Sequence, residues 1–188
     1  KNILVAGGTG SGKTTFVNAV VEAISRLTPE DRLVIIEDTT ELQPKSENVV
    51  QMRSNSKVSM EDLLVSTLRL RPDRILVGEV RRGGPAMTLT NSWNTGHEGG
   101  VATVHANSAP EAMSRLEELI TMDGFVPVKS ALARAVNYVV FMRKERGVRR
   151  VTEIVEIGYD SKNNEYVFDW KYKFKTGGRN GAPDTIAA

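Results

Sequence analysis

The stretch Gly7-Gly8-Thr9-Gly10-Ser11-Gly12-Lys13-Thr14 decides the reading of this chain. It fits the pattern of Gly, any four residues, Gly, Lys, then Ser or Thr, and it lies in the setting that pattern requires. A short apolar run, residues 3–6, precedes it. After Lys13, the apolar positions Phe16, Val17, Val20, Val21, Ile24 and Leu27 recur at helical spacing until Pro29 stops the pattern. A strand, a glycine loop and a helix in succession let backbone N–H groups wrap an anion, and the helix N-terminus adds a positive dipole. In such a loop Lys13 reaches the β- and γ-phosphates of a nucleoside triphosphate and the Thr14 hydroxyl ligates magnesium. Gly8, Thr9, Gly10, Ser11, Gly12 and Thr15 complete the candidate phosphate cradle. A flexible glycine turn that matches by chance is the competing reading. A dinucleotide-binding loop fits less well, because Lys13 stands where that fingerprint needs its third glycine.

Working outward, residues 33–36 form a second apolar run ending in Glu37 and Asp38, as a buried strand does where its carboxyl end emerges at a polar crevice. Residues 48–52 read as a weaker strand. Ser59 then offers an N-cap with Asp62 at the third helical position, near a capping box, for a helix running to Leu70. Residues 75–77 form another buried strand that delivers Gly78 and Glu79. Pro85 suits the first turn of a helix ending near Asn94, and residues 101–104 form a strand presenting His105. Pro110 suits the first turn of the next helix, capped by Ser108 or Asn107 and reaching about Ile120, and a further helix spans 128–136.

Strands alternating with helices imply an α/β fold with a mainly parallel sheet and right-handed crossovers. From Tyr138 the pattern changes: residues 138–142, 151–157 and 166–174 are strand-like runs divided by polar turns at Arg146-Gly147 and Asn163-Asn164. They predict an antiparallel extension of the same sheet. The expected organisation is one domain over residues 1–175. A tail over 176–188, rich in glycine and nearly free of large apolar residues, is expected to be mobile.

The composition excludes more than it selects. Of 188 residues, 40% are hydrophobic and 26% charged, which fits an ordinary globular protein. The net charge of +2 commits the chain to no partner, and no apolar run approaches the ~20 residues of a membrane span. With zero cysteines, disulfides, thiol catalysis and thiolate metal sites are ruled out. The chain opens at Lys1 directly on a strand, without an initiator Met, and is read as a fragment.

Hydrolysis of a triphosphate needs a metal partner and a group that orients the attacking water. Glu79, at a strand end, can hold magnesium through water or act on the water itself. Glu37, Asp38 and Glu41 stand at another strand end. Acids at such ends are also common surface residues. His105 is either a structural histidine or a donor to a γ-phosphate oxygen, and His97 is open between the two. Arg69, Arg71, Arg74, Arg81 and Arg82 crowd the approaches to Glu79 in sequence. Each is either a cation for the transferring phosphoryl group or part of a solvated charged face. Lys171, Lys173, Lys175 and Arg179 read as a solvated edge rather than a nucleic-acid site.

Taken together, Gly7 to Thr15, Ile36-Glu37-Asp38-Thr39-Thr40-Glu41-Leu42, Leu70-Arg71-Pro72-Asp73-Arg74-Ile75-Leu76-Val77-Gly78-Glu79-Val80-Arg81, and Trp93-Asn94-Thr95-Gly96-His97-Glu98-Gly99-Gly100 through Thr103-Val104-His105 resemble the secretion ATPases. They are similar, in order, to that family's Walker A loop, Asp box, Walker B strand and His box. The branch most resembled serves type IV secretion and conjugal DNA transfer, the TrbB-like proteins, over residues 1–157. The resemblance implies a RecA-like P-loop NTPase core, ATP and Mg2+ as ligands, and a homo-oligomeric ring, usually a hexamer. It also implies a place on the cytoplasmic face of the inner membrane, beside membrane components of a secretion or conjugation apparatus. By the same resemblance Lys13 and Thr14 take the phosphate and magnesium positions, Glu79 the Walker B acid, Glu37 the acid proposed to activate water, and His105 the histidine beside the γ-phosphate. The family also draws cations from an N-terminal domain. Arg82-Gly83-Gly84-Pro85 departs from its usual pattern after Arg81.

The function expected is ATP hydrolysis that drives assembly or transfer through such an apparatus. Two alternatives stand beside it: a non-hydrolysing nucleotide-gated interaction module, and a RecA-type nucleic-acid motor, which the near-neutral charge supports little. Direct nucleic-acid binding is left open.

Overall fold

A computed structural model describes residues 1–174. Residues 175–188, with the expected mobile tail and with Lys175 and Arg179, lie outside the described residues. Eight strands form one sheet: β1 (Ile3–Gly7), β2 (Leu33–Glu37), β3 (Val49–Arg53), β4 (Arg74–Val77), β5 (Val101–Val104), β6 (Tyr138–Glu145), β7 (Val148–Asp160) and β8 (Glu165–Lys173). Their order is β3-β2-β4-β5-β1-β6-β7-β8. Neighbours are parallel from β3 through β6 and antiparallel from β6 to β8. This is the sheet that the alternation of apolar runs and helical patterns predicts.

The central strands are mostly apolar, with Glu37, Arg74 and Thr103 as the exceptions in β2, β4 and β5, because both faces of the sheet are covered. Side chains alternate between two cores. Val5, Leu33, Ile35, Leu76 and Val101 pack with Val17 and Val21 of α1 (Lys13–Leu27). Leu4, Ala6, Val34, Ile36, Ile75 and Val77 face the other side. There they meet Leu64 of α2 (Met60–Thr67), Leu89 of α3 (Gly83–Asn94), Met113 of α4 (Ala109–Met122) and Leu132 of α5 (Lys129–Ala135).

The caps read from sequence are present. Ser59 and Asp62 form a complete capping box, and Ser108 Oγ accepts from the Glu111 N–H, with Pro110 in the first turn. Pro85 lies in the first turn of α3, where a missing N–H costs nothing. Some boundaries differ: β6 and β7 run past the expected 138–142 and 151–157, to Glu145 and over Val148–Asp160. The helix expected to reach Leu70 ends at Thr67 and tightens into a 3₁₀ turn, Leu68–Leu70, because Arg71 adopts a left-handed conformation (φ 51°) ahead of Pro72. The expected hairpin turns are also formed, with Arg146, Gly147 and Asn164 at positive φ.

Candidate nucleotide site

Because the strands are parallel, the carboxyl ends of β1, β2, β4 and β5 open on one side of the sheet, where α/β folds bind ligands. The residues following those four strands line a single cleft of about 370 Å³. Gly8 through Thr15, Glu37, Glu79 and His105, the whole candidate set, line it together with Asp38, Glu41, Arg81, Thr103 and Arg149.

The loop is shaped for close approach. A side chain at Gly7 would collide with the Met142 carbonyl and the Ser11 hydroxyl, so β1 runs tight against β6 just where the loop begins. Gly12, at φ 97°, turns the chain into α1 as its N-cap without any side-chain cap, and the first turn of α1 carries no acid. The amides there are thus left for an external anion. Ser11 Oγ is buried without a hydrogen-bond partner. These features fit a phosphate group.

Lys13 is buried, and its Nζ donates to the Gly7 carbonyl at 2.8 Å and to the Gly8 carbonyl at 3.2 Å. Burial pushes its ammonium below the ordinary lysine value, while the charge of Glu79 pulls it back up and Arg81 lowers it further. The Thr14 hydroxyl donates to Glu41 Oε2 at 2.7 Å. Among the described residues no group of three or more His, Asp or Glu side chains is poised to hold a metal. The Thr14 hydroxyl and the Glu79 carboxylate line the same cleft, and oxygen donors of this kind fit Mg2+.

Glu37 is 3% exposed. Its Oε1 accepts the backbone N–H groups of Glu41 at 2.9 Å and Leu42 at 3.0 Å, which folds residues 38–42 around the carboxylate. Glu79 is fixed by its neighbours. The Thr103 hydroxyl donates to the Gly78 carbonyl at 2.7 Å and the Val80 N–H donates to the Thr103 carbonyl at 2.8 Å, holding the segment after β4 against β5. Arg81 Nε donates to Glu79 Oε2 at 2.7 Å, and the same guanidinium pairs with Asp38. The Glu79 carboxylate raises the Arg81 pKa further. His105 Nε2 lies 2.7 Å from Glu79 Oε1, close enough to pair when protonated, yet that oxygen has no directed hydrogen bond.

Other sequence candidates fall away from the cleft. His97 Nδ1 lies 3.1 Å from the Pro72 carbonyl, at the opposite end of the sheet. Arg69 and Arg71 precede β4 and Arg74 opens it, so all three sit at its amino end, away from Glu79. Arg74 there ties Asp31, the Gly99 carbonyl and the Thr28 hydroxyl together. The sequence places these arginines near Glu79, but a strand crossing the molecule separates them. Arg82 lies 3.9 Å from Asp123. Arg149 is the lining residue that sequence reasoning missed. It is 139 positions from its partner Gly10, and no local motif marks it.

A phosphate loop between strand and helix, facing acids from two neighbouring parallel strands, defines a P-loop nucleotide-binding protein with a RecA-like sheet. The chain belongs to the type II/IV secretion system protein family, whose model matches residues 1–157. It is 49% identical over 156 residues to a probable conjugal transfer protein TrbB of Sinorhizobium fredii, covering 83% of this chain and 48% of that protein. Among solved structures it is similar to the VirB11 ATPase of the Brucella suis type IV secretion system in complex with sulphate. The TM-score is 0.73 and the identity 31%, over 83% of this chain and 48% of that one. It is likewise similar to the pilus retraction motor PilT with bound ADP, with a TM-score of 0.70 and 27% identity, over 86% of this chain and 49% of that one. The chain thus spans about half the length of the relatives it matches. The type IV secretion and conjugation branch expected from the four motifs is the branch in which the first two of these relatives fall.

Proposed function

We propose that this chain is the motor domain of an ATPase that powers assembly or substrate transfer through a type IV secretion-like apparatus. It works in a homo-oligomeric ring, a hexamer, at the cytoplasmic face of the inner membrane and against membrane components of that apparatus. Residues 1–175 constitute that domain. The observation that carries the reading is the convergence of Lys13, Glu37, Glu79 and His105 on one cleft at the carboxyl edge of the sheet. Support also comes from the relatives, whose names include a type IV secretion ATPase and a motor with bound ADP.

The residues divide the work by position. The amides of Gly8 to Gly12 and the N-terminus of α1 hold the phosphates, and Lys13 leaves the Gly7 and Gly8 carbonyls to meet the β- and γ-oxygens. Mg2+, held through Thr14 and Glu79, supplies charge neutralisation on those oxygens when bound. Glu37 accepts a proton from the attacking water through the oxygen that does not brace residues 41 and 42. Glu79, oriented by Arg81, keeps the metal side of the site acidic, and His105 stands beside the terminal phosphate as a donor.

The test is to measure hydrolysis and nucleotide affinity in one protein that includes the remainder of the polypeptide its relatives possess. Lys13→Ala is expected to weaken ATP binding. Glu37→Gln and Glu79→Gln are each expected to lower turnover by roughly 10²- to 10⁴-fold, the worth of a general base, while ATP still binds. Full turnover in both glutamine variants would overturn the assigned roles.

A further inference from the structure

The antiparallel extension β6–β8 carries no motif of the cleft, yet it supplies a side chain to it. β1 pairs with β6 in parallel with Gly7 opposite Met142, so the end of β6 abuts the start of the phosphate loop. The chain then reverses at Arg146 and Gly147 and returns as β7, placing Arg149 opposite Lys144. From there Arg149 Nε donates to the Gly10 carbonyl at 2.9 Å. Its aliphatic stem runs past Gly12, with Cδ 3.2 Å from where a side chain at Gly12 would begin.

This contact bears on the amides that would hold phosphate. In a planar trans peptide the C=O and the following N–H point in opposite directions. Tethering the Gly10 oxygen outward to Arg149 therefore fixes the Ser11 N–H toward the loop interior. There it donates to the Gly8 carbonyl at 3.3 Å, a long bond that a phosphate oxygen can replace. Arginine suits the task, because its rigid fork spends one nitrogen on the carbonyl and keeps the other two, and its charge, over the mouth of the cleft.

We propose that Arg149 is a positioning residue for nucleotide binding: it anchors the crown of the phosphate loop from the β6–β7 hairpin and thereby sets affinity for nucleoside di- and triphosphates. The inference rests on the nucleotide-binding reading above and adds to it a part of the chain that the phosphate-loop motif does not include. Because Arg149 acts on the loop crown, ADP and ATP should depend on it equally.

The experiment titrates fluorescent N-methylanthraniloyl ADP and ATP, with Mg2+, into the 188-residue chain. Arg149→Ala is expected to weaken both nucleotides by about tenfold, the worth of one charge-assisted hydrogen bond. Arg149→Lys, which keeps a cationic donor, is expected to recover most of the loss. Arg146→Asn at the hairpin tip removes a charge that touches no part of the loop, and the asparagine tolerates the positive φ there. It should bind as wild type does. Equal affinities for wild type and Arg149→Ala would overturn the inference while leaving the nucleotide-binding reading intact, as would an equal loss in Arg146→Asn. A lowered melting temperature without nucleotide in Arg149→Ala, with no rescue by lysine, would also overturn it in favour of a purely structural role. If wild type binds neither nucleotide, the reading of the cleft fails and the inference falls with it.

Discussion

On the proposed mechanism Glu37 does two things with one carboxylate, and its two oxygens divide them. Oε1 accepts the N–H groups of Glu41 and Leu42, while the charge faces a cleft whose other wall is Lys13. Glutamine keeps a carbonyl oxygen for the two N–H groups and removes only the charge, whereas alanine strands both. Glu37→Ala is therefore expected to lower stability by about 2 kcal/mol, since a buried donor left unpaired costs about 1–3 kcal/mol. In a chain of this size that corresponds to a fall in melting temperature of roughly 4–8 °C. Glu37→Gln should melt within a degree or two of wild type, and thermal unfolding of the two variants decides the matter. At this scale much of the lining of the candidate cleft was legible in the sequence. Lys13, Thr14, Glu37, Glu79 and His105 each close a recognisable strand or open a recognisable helix. The pairing of Arg81 with Asp38 was not, because Asp38 comes to it from the end of another strand, 43 positions away.

Elements are joined on the side opposite the cleft by Arg74. Its guanidinium bonds Asp31 before β2 at 2.6 Å, the Gly99 carbonyl before β5 at 3.2 Å and the Thr28 hydroxyl after α1 at 3.3 Å. Burial alone would raise the Asp31 carboxyl, but hydrogen bonds from Thr28 and Arg74 outweigh it and hold the group below its ordinary value. A carboxyl depressed in the folded state contributes stability above the unfolded pKa, about 3.9, and loses it as the pH falls through the lower folded value. Arg74→Ala is thus expected to cost about 1–2 kcal/mol near neutral pH. Denaturant titrations should show the gap from wild type narrowing below about pH 4. A gap that widened in acid would contradict this account of the pair. Helix starts were legible at this scale because caps are local: Ser59 and Ser108 bond amides three residues away. The end of α2 was not, since the apolar pattern runs on to Leu70 while the backbone before Pro72 cannot.

For the whole molecule, the family match ends at residue 157 although the sheet continues through β8. Along β8, Tyr166, Phe168 and Trp170 pack against the larger core, and β8 pairs with β7 from Glu153 to Asp160. Ending the chain after Asp160 would bare the edge of β7 and the apolar side chains beneath it. A free strand edge of that kind templates pairing with another chain. The truncated protein is expected to melt several degrees lower and to self-associate, as read by thermal unfolding and light scattering; unchanged behaviour would mean that β8 is dispensable to the fold. The sequence by itself determined the phosphate loop, the parallel α/β alternation, the helix caps and the acids at strand ends, because each is set by spacing within one or two turns or strands. Only the tertiary structure decided which candidates share a cleft. It sent Arg74 and His97 to the amino edge of the sheet and brought Arg149 to Gly10, because strand order and pairing register join residues that no local pattern connects.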